Sequence, residues 1–183
     1  DMIAVKMGDV NSSATYNVNG TETTETRSSN TMVFLTNAID VSQGAQIKLP
    51  IYAQDFENIL GYQFTIEFDA TKLNFNGYEM GALIVSDKHF ALNRLNQGMI
   101  TTSWSDVEPT TVANDEPLFY LSFTAHGEGY IGDLIDFTSR VTDAEVYDAN
   151  YTVHGVDLSL RGSNNEILTD GLTVKQNRPN PFR

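Results

Sequence analysis

The chain has 183 residues, 40% of them hydrophobic, no cysteine, and eleven Lys+Arg against twenty-four Asp+Glu for a net charge of −13. That length suits one domain with a real core plus polar extensions. The acidic field repels phosphate backbones and anionic lipid surfaces, arguing against nucleic-acid and membrane-surface roles. The missing cysteine excludes disulfides, thiol nucleophiles and thiolate zinc sites, and no run approaches the ~18 apolar residues of a membrane span.

Residues 1–30 begin DMIAVKMGDVN and continue as SSATYNVNGTETTETRSSN. The Ser/Thr/Asn/Glu mixture has little to bury and reads as a polar linker over 15–31. From residue 32 onward short apolar runs alternate with turn residues. The first strand is predicted at 32–35. The next, Gln46–Ala53, puts Ile47, Leu49, Ile51 and Ala53 on one face, and Pro50 within it predicts an edge position or a bulge.

Residues 61–69 alternate most strictly: Tyr62, Phe64, Ile66 and Phe68 against Gln63, Thr65 and Glu67, ending at an Asp-Ala-Thr-Lys turn. A period of two buries one face and wets the other. Further strands are predicted at 73–78, 83–86, near 90–95, and at 99–105, where Ile100, Thr102 and Trp104 oppose Thr101 and Ser103. In 118–125, Phe119, Leu121, Phe123 and Ala125 point one way and Leu118, Tyr120, Ser122 and Thr124 the other. Runs at 135–138, 144–147 and 153–160 close the series. Short strands at this spacing, with no amphipathic helix between them, predict an all-β antiparallel sandwich over 32–162. Residues 163–183 turn polar again, and Pro179 and Pro181 hold Asn180 extended.

The middle of the chain resembles a cohesin, the surface module that grips dockerins. The matching segments are GAQIKLPIYA, GYQFTIEFDATKLNFNGYEMGAL, GMITTSWSD, EPLFYLSFTAHGEG and VTDAEVYDAN…VDLSL, in that order. The resemblance implies a jelly-roll-like sandwich that binds another protein without catalysis. Cellulose-binding modules of the same superfamily share the strand pattern. AVKMGDVNSSA resembles the start of a dockerin calcium loop: Asp9 and Asn11 fit its first two places, Ser13 replaces an acid, and the closing twelfth place falls on Gly20. Residues 1–14 therefore read as the end of a dockerin-like segment. LTVKQNRPNPF resembles the opening of the C-terminal sorting domain of type IX secretion in Bacteroidetes-type bacteria, through Leu172, Gln176, Asn177, Pro179, Asn180, Pro181 and Phe182. It implies engagement with the secretion machinery and a secreted or cell-surface location.

Little in the chain points to catalysis. His89, His126 and His154 lie in separate segments, with His126 read as a rim residue and His154 as a structural histidine. No Gly-x-Ser-x-Gly elbow occurs, and the acid pairs Asp55/Glu57 and Asp106/Glu108 carry nothing that marks a glycosidase site. No cofactor is implied. Calcium is the one candidate ion, either at Asp9 and Asn11 or among Asp133, Asp136, Asp143, Glu145 and Asp148, where turn chemistry is the competing explanation.

A sugar platform would draw on Tyr52, Tyr78, Tyr120, Tyr130, Tyr147 and Tyr151, with Trp104 kept in the core. A protein partner would draw on the outward set Gln63, Thr65, Glu67, Thr101, Ser103, Leu118, Tyr120 and Ser122. The resemblance implies that this set is the dockerin-holding face, with Leu118 and Tyr120 as anchors and Glu67 pairing a basic residue of the partner. The expected function is non-catalytic adhesion or assembly through protein contacts. The alternatives are a carbohydrate-binding module of an extracellular protein and a passive spacer.

Overall fold

Alternating and β-branched runs pair their backbone edges with neighbouring strands, and here most of them join one ribbon that curls over itself. The computed structural model describes residues 31–164 and 166–168. The strands are β1 (Thr31–Asn37), β2 (Asp40–Val41), β3 (Gln46–Ala53), β4 (Ile59–Phe68), β5 (Leu73–Met80), β6 (Phe90–Ala91), β7 (Met99–Thr110), β8 (Phe119–Ala125), β9 (Gly129–Tyr130), β10 (Ile135–Thr138), β11 (Glu145–Asp148), β12 (Val153–Arg161) and β13 (Ile167–Leu168). The dockerin-like residues Asp9 and Asn11 and the sorting signature from Leu172 to Phe182 lie outside the described residues.

The hydrogen-bonded order is β5-β8-β3-β1-β12-β11-β4-β7-β6, with β10 also on β4 and β13 on β12. β2 and β9 form a separate small ladder. All pairs are antiparallel except β1 with β12, which run parallel from Thr31↔Gly155 to Asn37↔Arg161. β1 is the seam: it also meets β3 at Phe34↔Ala53 and Leu35↔Tyr52. One layer is thus β5-β8-β3, the other β10/β11-β4-β7-β6, and β1 with β12 closes the curl between them.

Three expectations change. Pro50 is not on an edge strand, because β3 is paired on both sides. It falls past the short β1 ladder, where the Thr36 hydroxyl donates to the Pro50 carbonyl at 2.9 Å. Residues 83–86 form no strand. They belong to a loop tied to the start of β8, with Ala82 N–H bonded to Pro117 O at 2.8 Å and Leu83 N–H to Leu118 O at 3.0 Å. The strand expected near 90–95 shrinks to Phe90–Ala91, and a helical turn, Ile131–Leu134, buries Ile131 and Leu134.

Inward residues of both layers meet in a ring cluster. Phe64 stacks on Phe137 at 4.4 Å and meets Phe34 edge-on at 4.9 Å. Tyr62 stacks on Phe64, Trp104 and Phe119, while Phe68 meets Phe123 at 5.4 Å. Offset and edge contacts of this kind add to the area they bury. Trp104 is buried, as its register predicts.

Among the described residues, the buried hydroxyls of Tyr62 and Thr102 lie near each other but reach no partner in full hydrogen-bond geometry. Burial pushes the Tyr62 phenol's pKa far up, offset only in part by the nearby Thr102 hydroxyl. Removing a buried group that has no partner removes its desolvation penalty. Tyr62→Phe is therefore expected to leave stability unchanged or raise it by about 1 kcal/mol, whereas Phe64→Ala costs about 3–5 kcal/mol. Urea unfolding of the two variants measures both, and a Tyr62→Phe loss above about 1 kcal/mol would show a hydroxyl contact that stabilises the core.

Candidate protein-docking face

The outer side of β4 and its neighbours is built in cross-strand rows. Gln63 faces Ser103 of β7 and Glu145 of β11. Thr65 faces Thr101 and Thr138 of β10; Glu67 faces Met99 and Asp136. At the other end Gly61 faces Ser105 and Tyr147. Hydroxyl and amide groups dominate these rows, because period-two strands put every polar partner of the inward rings on this side.

The segment between β10 and β11, residues 139–144, leaves the sheet and folds back across its middle. Val141 and Thr142 N–H donate to the Thr65 hydroxyl at 3.1 and 3.4 Å, and Arg140 Nη1 reaches Glu67 Oε1 at 3.2 Å. Thr65 is consequently fully buried despite its outward register. Glu67 already has a basic partner, Arg140 of its own chain, where a partner's base was expected.

The eight expected face residues do not share one surface. Gln63, Thr65, Glu67, Thr101 and Ser103 lie together. Tyr120 and Ser122 lie on the outside of the opposite layer, opposite Pro50 and Lys48. There Lys48 Nζ sits 4.3 Å above the Tyr120 ring and bridges Glu79 at 2.7 Å. Leu118 is no outward anchor: it is fully buried, because the 81–86 loop closes over it and adds Leu83 and Val85 to the core. Alternation tells which side of its own sheet a residue takes, not which of two sheets that is.

Beside the uncovered rows lies a depression of about 280 Å³, lined by Leu60, Gly61, Gln63, Ser103, Ser105, Asp106 and Tyr147 over Tyr62 and Trp104. Gly61 sets its floor. A Cβ there would come 2.7 Å from the Trp104 carbonyl oxygen, so β4 and β7 approach closely only with glycine. Beyond Ser105, β7 spends residues 106–109 on an excursion before Thr110 rejoins Ile59. Val107 on that excursion is 91% exposed. Tyr147 donates its phenol proton to Glu145. That carboxylate, with partial burial and the charges of Glu145 and Asp143, pushes the phenol's pKa up to about 12, and the hydrogen bond fixes the orientation of the ring's hydroxyl. Sequence reasoning missed Leu60, Gly61, Ser105, Asp106 and Tyr147 as one group; the shared register of β4, β7 and β11 joins them.

Of the named acids, Asp148 holds a turn and Glu145 accepts from Tyr147. Asp148 Oδ1 accepts the N–H of Asn150 (2.8 Å) and Thr152 (2.9 Å), and its Oδ2 lies 3.1 Å from His154 Nε2. His154 is therefore a part-buried structural histidine, and exposed His126 donates its backbone N–H to Lys72 O. Among the described residues no three Asp, Glu or His side chains converge as a metal site requires. Asp55, Glu57, Asp106 and Glu108 are all exposed. The tyrosines offered for sugar do not line up: Tyr52 lies under Arg161, Tyr120 under Lys48, Tyr78 bonds Asp87 and Tyr147 bonds Glu145.

Residues 32–159 match the family model of the cohesin domain. The chain belongs to the cohesin family. No match was found among curated proteins. Among solved structures, a type I cohesin of Clostridium thermocellum in complex with a dockerin is 14% identical at a TM-score of 0.52, covering 73% of this chain and 96% of that one. The sixth cohesin of scaffoldin B of Acetivibrio cellulolyticus, in complex with a mutant Cel5 dockerin, is 16% identical at 0.52, covering 71% and 95%. The type II cohesin A11 of Bacteroides cellulosolvens is 16% identical at 0.51, covering 69% and 94%. At these identities the likeness carries the fold, a cohesin β-sandwich.

Asp148 gives this face's edge a measurable pH dependence. Partial burial works to raise its pKa, but the Thr152 N–H, the His154 ring and the Asn150 N–H outweigh it and hold the carboxyl below its usual range. The depressed value means that its contribution is present above the unfolded carboxylate value of about 3.9 and is lost as pH falls through the folded one. Asp148→Asn should cost about 1–3 kcal/mol at neutral pH, and urea unfolding should show that gap closing towards about pH 2. A gap that stays constant to that pH would place the role of Asp148 in shape alone.

Proposed function

We propose that this cohesin domain binds a dockerin-like protein through the outer face of β4, β7 and β11, and that it does so without catalysis. Cohesins as a family are non-catalytic binding modules, and the related structures named above include cohesins held by dockerins. The observation that carries the reading is the uncovered half of the β4 face. Gln63, Ser103 and Ser105 present short hydrogen-bonding side chains around a depression edged by Tyr147, the mixture of polar rim and aromatic anchor that protein interfaces use. The opposite layer is a poorer candidate, since its rings Tyr120 and Tyr52 are each covered by a cation of this chain, Lys48 and Arg161.

The proposal extends to location. The tail residues Leu172, Gln176, Asn177, Pro179, Asn180, Pro181 and Phe182 are read as the opening of a type IX sorting signal, and Asp9 and Asn11 as part of a dockerin-like remnant. The protein is then an exported, surface or extracellular one of Bacteroidetes-type bacteria. Among the described residues no helix is long and apolar enough to cross a membrane.

The test compares three baits in the native extracellular fraction: the intact chain, Gln63→Arg/Ser103→Arg on the proposed face, and Tyr120→Asp/Ser122→Arg on the other layer. A dockerin-type protein, identified by mass spectrometry, should be held by the first and third and weakened at least about tenfold by the second, a difference of about 1.4 kcal/mol. Loss with the third bait alone would move the site to the β3–β8–β5 layer. Saturable sugar binding that Tyr120→Ala abolishes would favour the carbohydrate-binding alternative.

A further inference from the structure

The hairpin between β11 and β12 ends in Asp148-Ala149-Asn150-Tyr151-Thr152, a sequence that neither the docking face nor the core explains. We propose that Asn150 is an N-glycosylation site, taking an oligosaccharide from an isoprenoid-diphosphate carrier during export. The inference rests on the export reading above but not on the docking face. Asn-x-Ser/Thr is the acceptor pattern of asparagine-linked transfer. One class of transferase also demands an acid two residues before the asparagine, and Asp148 occupies that place. Among the described residues, Asn150 is the one asparagine with a Ser or Thr two places on.

The geometry suits a sugar that is added early and then carried outside. Asn150 is exposed and gives the turn only its backbone N–H, to Asp148 at 2.8 Å; its carboxamide takes no part in the hydrogen bonds of the turn. Tyr151 beside it is 85% exposed and stands at φ +62°, a left-handed conformation that costs a bulky residue energy. A glycan on Asn150 meets no packed side chain, since the tip residues Asn150 and Tyr151 both face solvent.

The folded turn also dictates when transfer occurs. Asp148 spends its carboxylate on Asn150 N–H, Thr152 N–H and His154, so a transferase cannot read that acid or extend the acceptor once the hairpin has closed. Transfer therefore precedes closure. In the step itself the Asn150 carboxamide nitrogen attacks the anomeric carbon of the donor sugar. The C–O bond to the diphosphate breaks, the isoprenoid diphosphate leaves with the electron pair, and one amide proton passes to the transferase's base. The same acid-x-Asn-x-Ser pattern recurs at Asp9-Val10-Asn11-Ser12-Ser13. An acceptor role accounts for those residues without the acid that a calcium loop would need at Gly20.

Cleavage after Arg140 and Arg161 releases residues 141–161, which contain no other Lys or Arg. In chain isolated from its native host, mass spectrometry of this peptide should show an added oligosaccharide on Asn150. It should be retained in Thr152→Ser and lost in Thr152→Ala and in Asn150→Gln. Asn150→Gln should melt at the same temperature as unglycosylated wild-type chain, so loss of sugar cannot be attributed to misfolding. Exported chain whose 141–161 peptide carries only its unmodified mass overturns the proposal, as does sugar confined to Asn11 or Asn19. Refolded, purified chain presented with transferase and lipid-linked donor should stay unmodified, while the unfolded chain accepts sugar; equal modification of both overturns the order of events.

Discussion

Phe64 stands against the seam of the curl, with the Phe137 ring of its own layer stacked at 4.4 Å and Phe34 of β1 edge-on at 4.9 Å, while Tyr62 and Phe68 on either side of it reach Phe119 and Phe123 of the opposite layer. Because β4 alternates strictly, keeping Phe64, Tyr62 and Ile66 inside fixes Gln63, Thr65 and Glu67 outside; a slip of one residue would exchange the two sets. The same constraint passes to its neighbours, since Ser103 and Thr101 are placed by pairing with Gln63 and Thr65, and Glu145 and Thr138 by pairing on the other flank. The proposed docking rows are therefore the reverse side of the ring cluster. Their precision comes from packing that no ligand touches.

What the face offers is then decided by where the chain departs from the ladder. Residues 139–144 use the Thr65 hydroxyl as an acceptor for two N–H groups and send Arg140 to Glu67, closing the middle of the face. The excursion at 106–109 does the opposite and stands away from the sheet, leaving Gly61 and Ser105 at the floor and wall of a depression. The loop at 81–86 works on the other layer, sealing Leu118. Two of the departures anchor backbone N–H groups on distant parts of the chain, Thr65 for 139–144 and Pro117 with Leu118 for 81–86, and each departure decides whether an outward register position is also an accessible one.

This explains what the sequence could and could not tell. The bounds of β3 and β10 were legible to the residue, and those of β4, β5, β8, β11 and β12 to within two, because each run alternates and is closed by turn residues. The inward set was legible for the same reason, down to Trp104. Loop 83–86 read as a strand because Leu83 and Val85 alternate with Ile84; the structure buries both while leaving Ile84 80% exposed, so the pattern was real but its cause was capping. The face itself was half legible. Period two set Gln63 and Ser103 outside, but pairing partners distant in sequence, such as Tyr147 with Gly61, carry no local signal, nor does the assignment of Tyr120 to the opposite layer.

The acidic composition acquires a place in the fold by the same reasoning. Asp69, Asp106, Asp136, Asp148 and Asp157 each accept a backbone N–H one or two residues on, so each of these carboxylates holds its own stretch of backbone. In the uncovered half the neutral side chains of Gln63, Ser103 and Ser105 dominate, and the flanking Glu145 carboxylate is engaged by Tyr147. Selectivity and attraction are then divided between different parts of the molecule. Neutral donors and acceptors discriminate through hydrogen-bond geometry and the cost of leaving any of them unpaired. The surrounding net charge of −13 acts at longer range, speeding encounter with a basic partner and fading with added salt. A substitution in the rows should therefore act on dissociation, while one among the turn acids should act on association, unless it removes an Asp on which a turn depends.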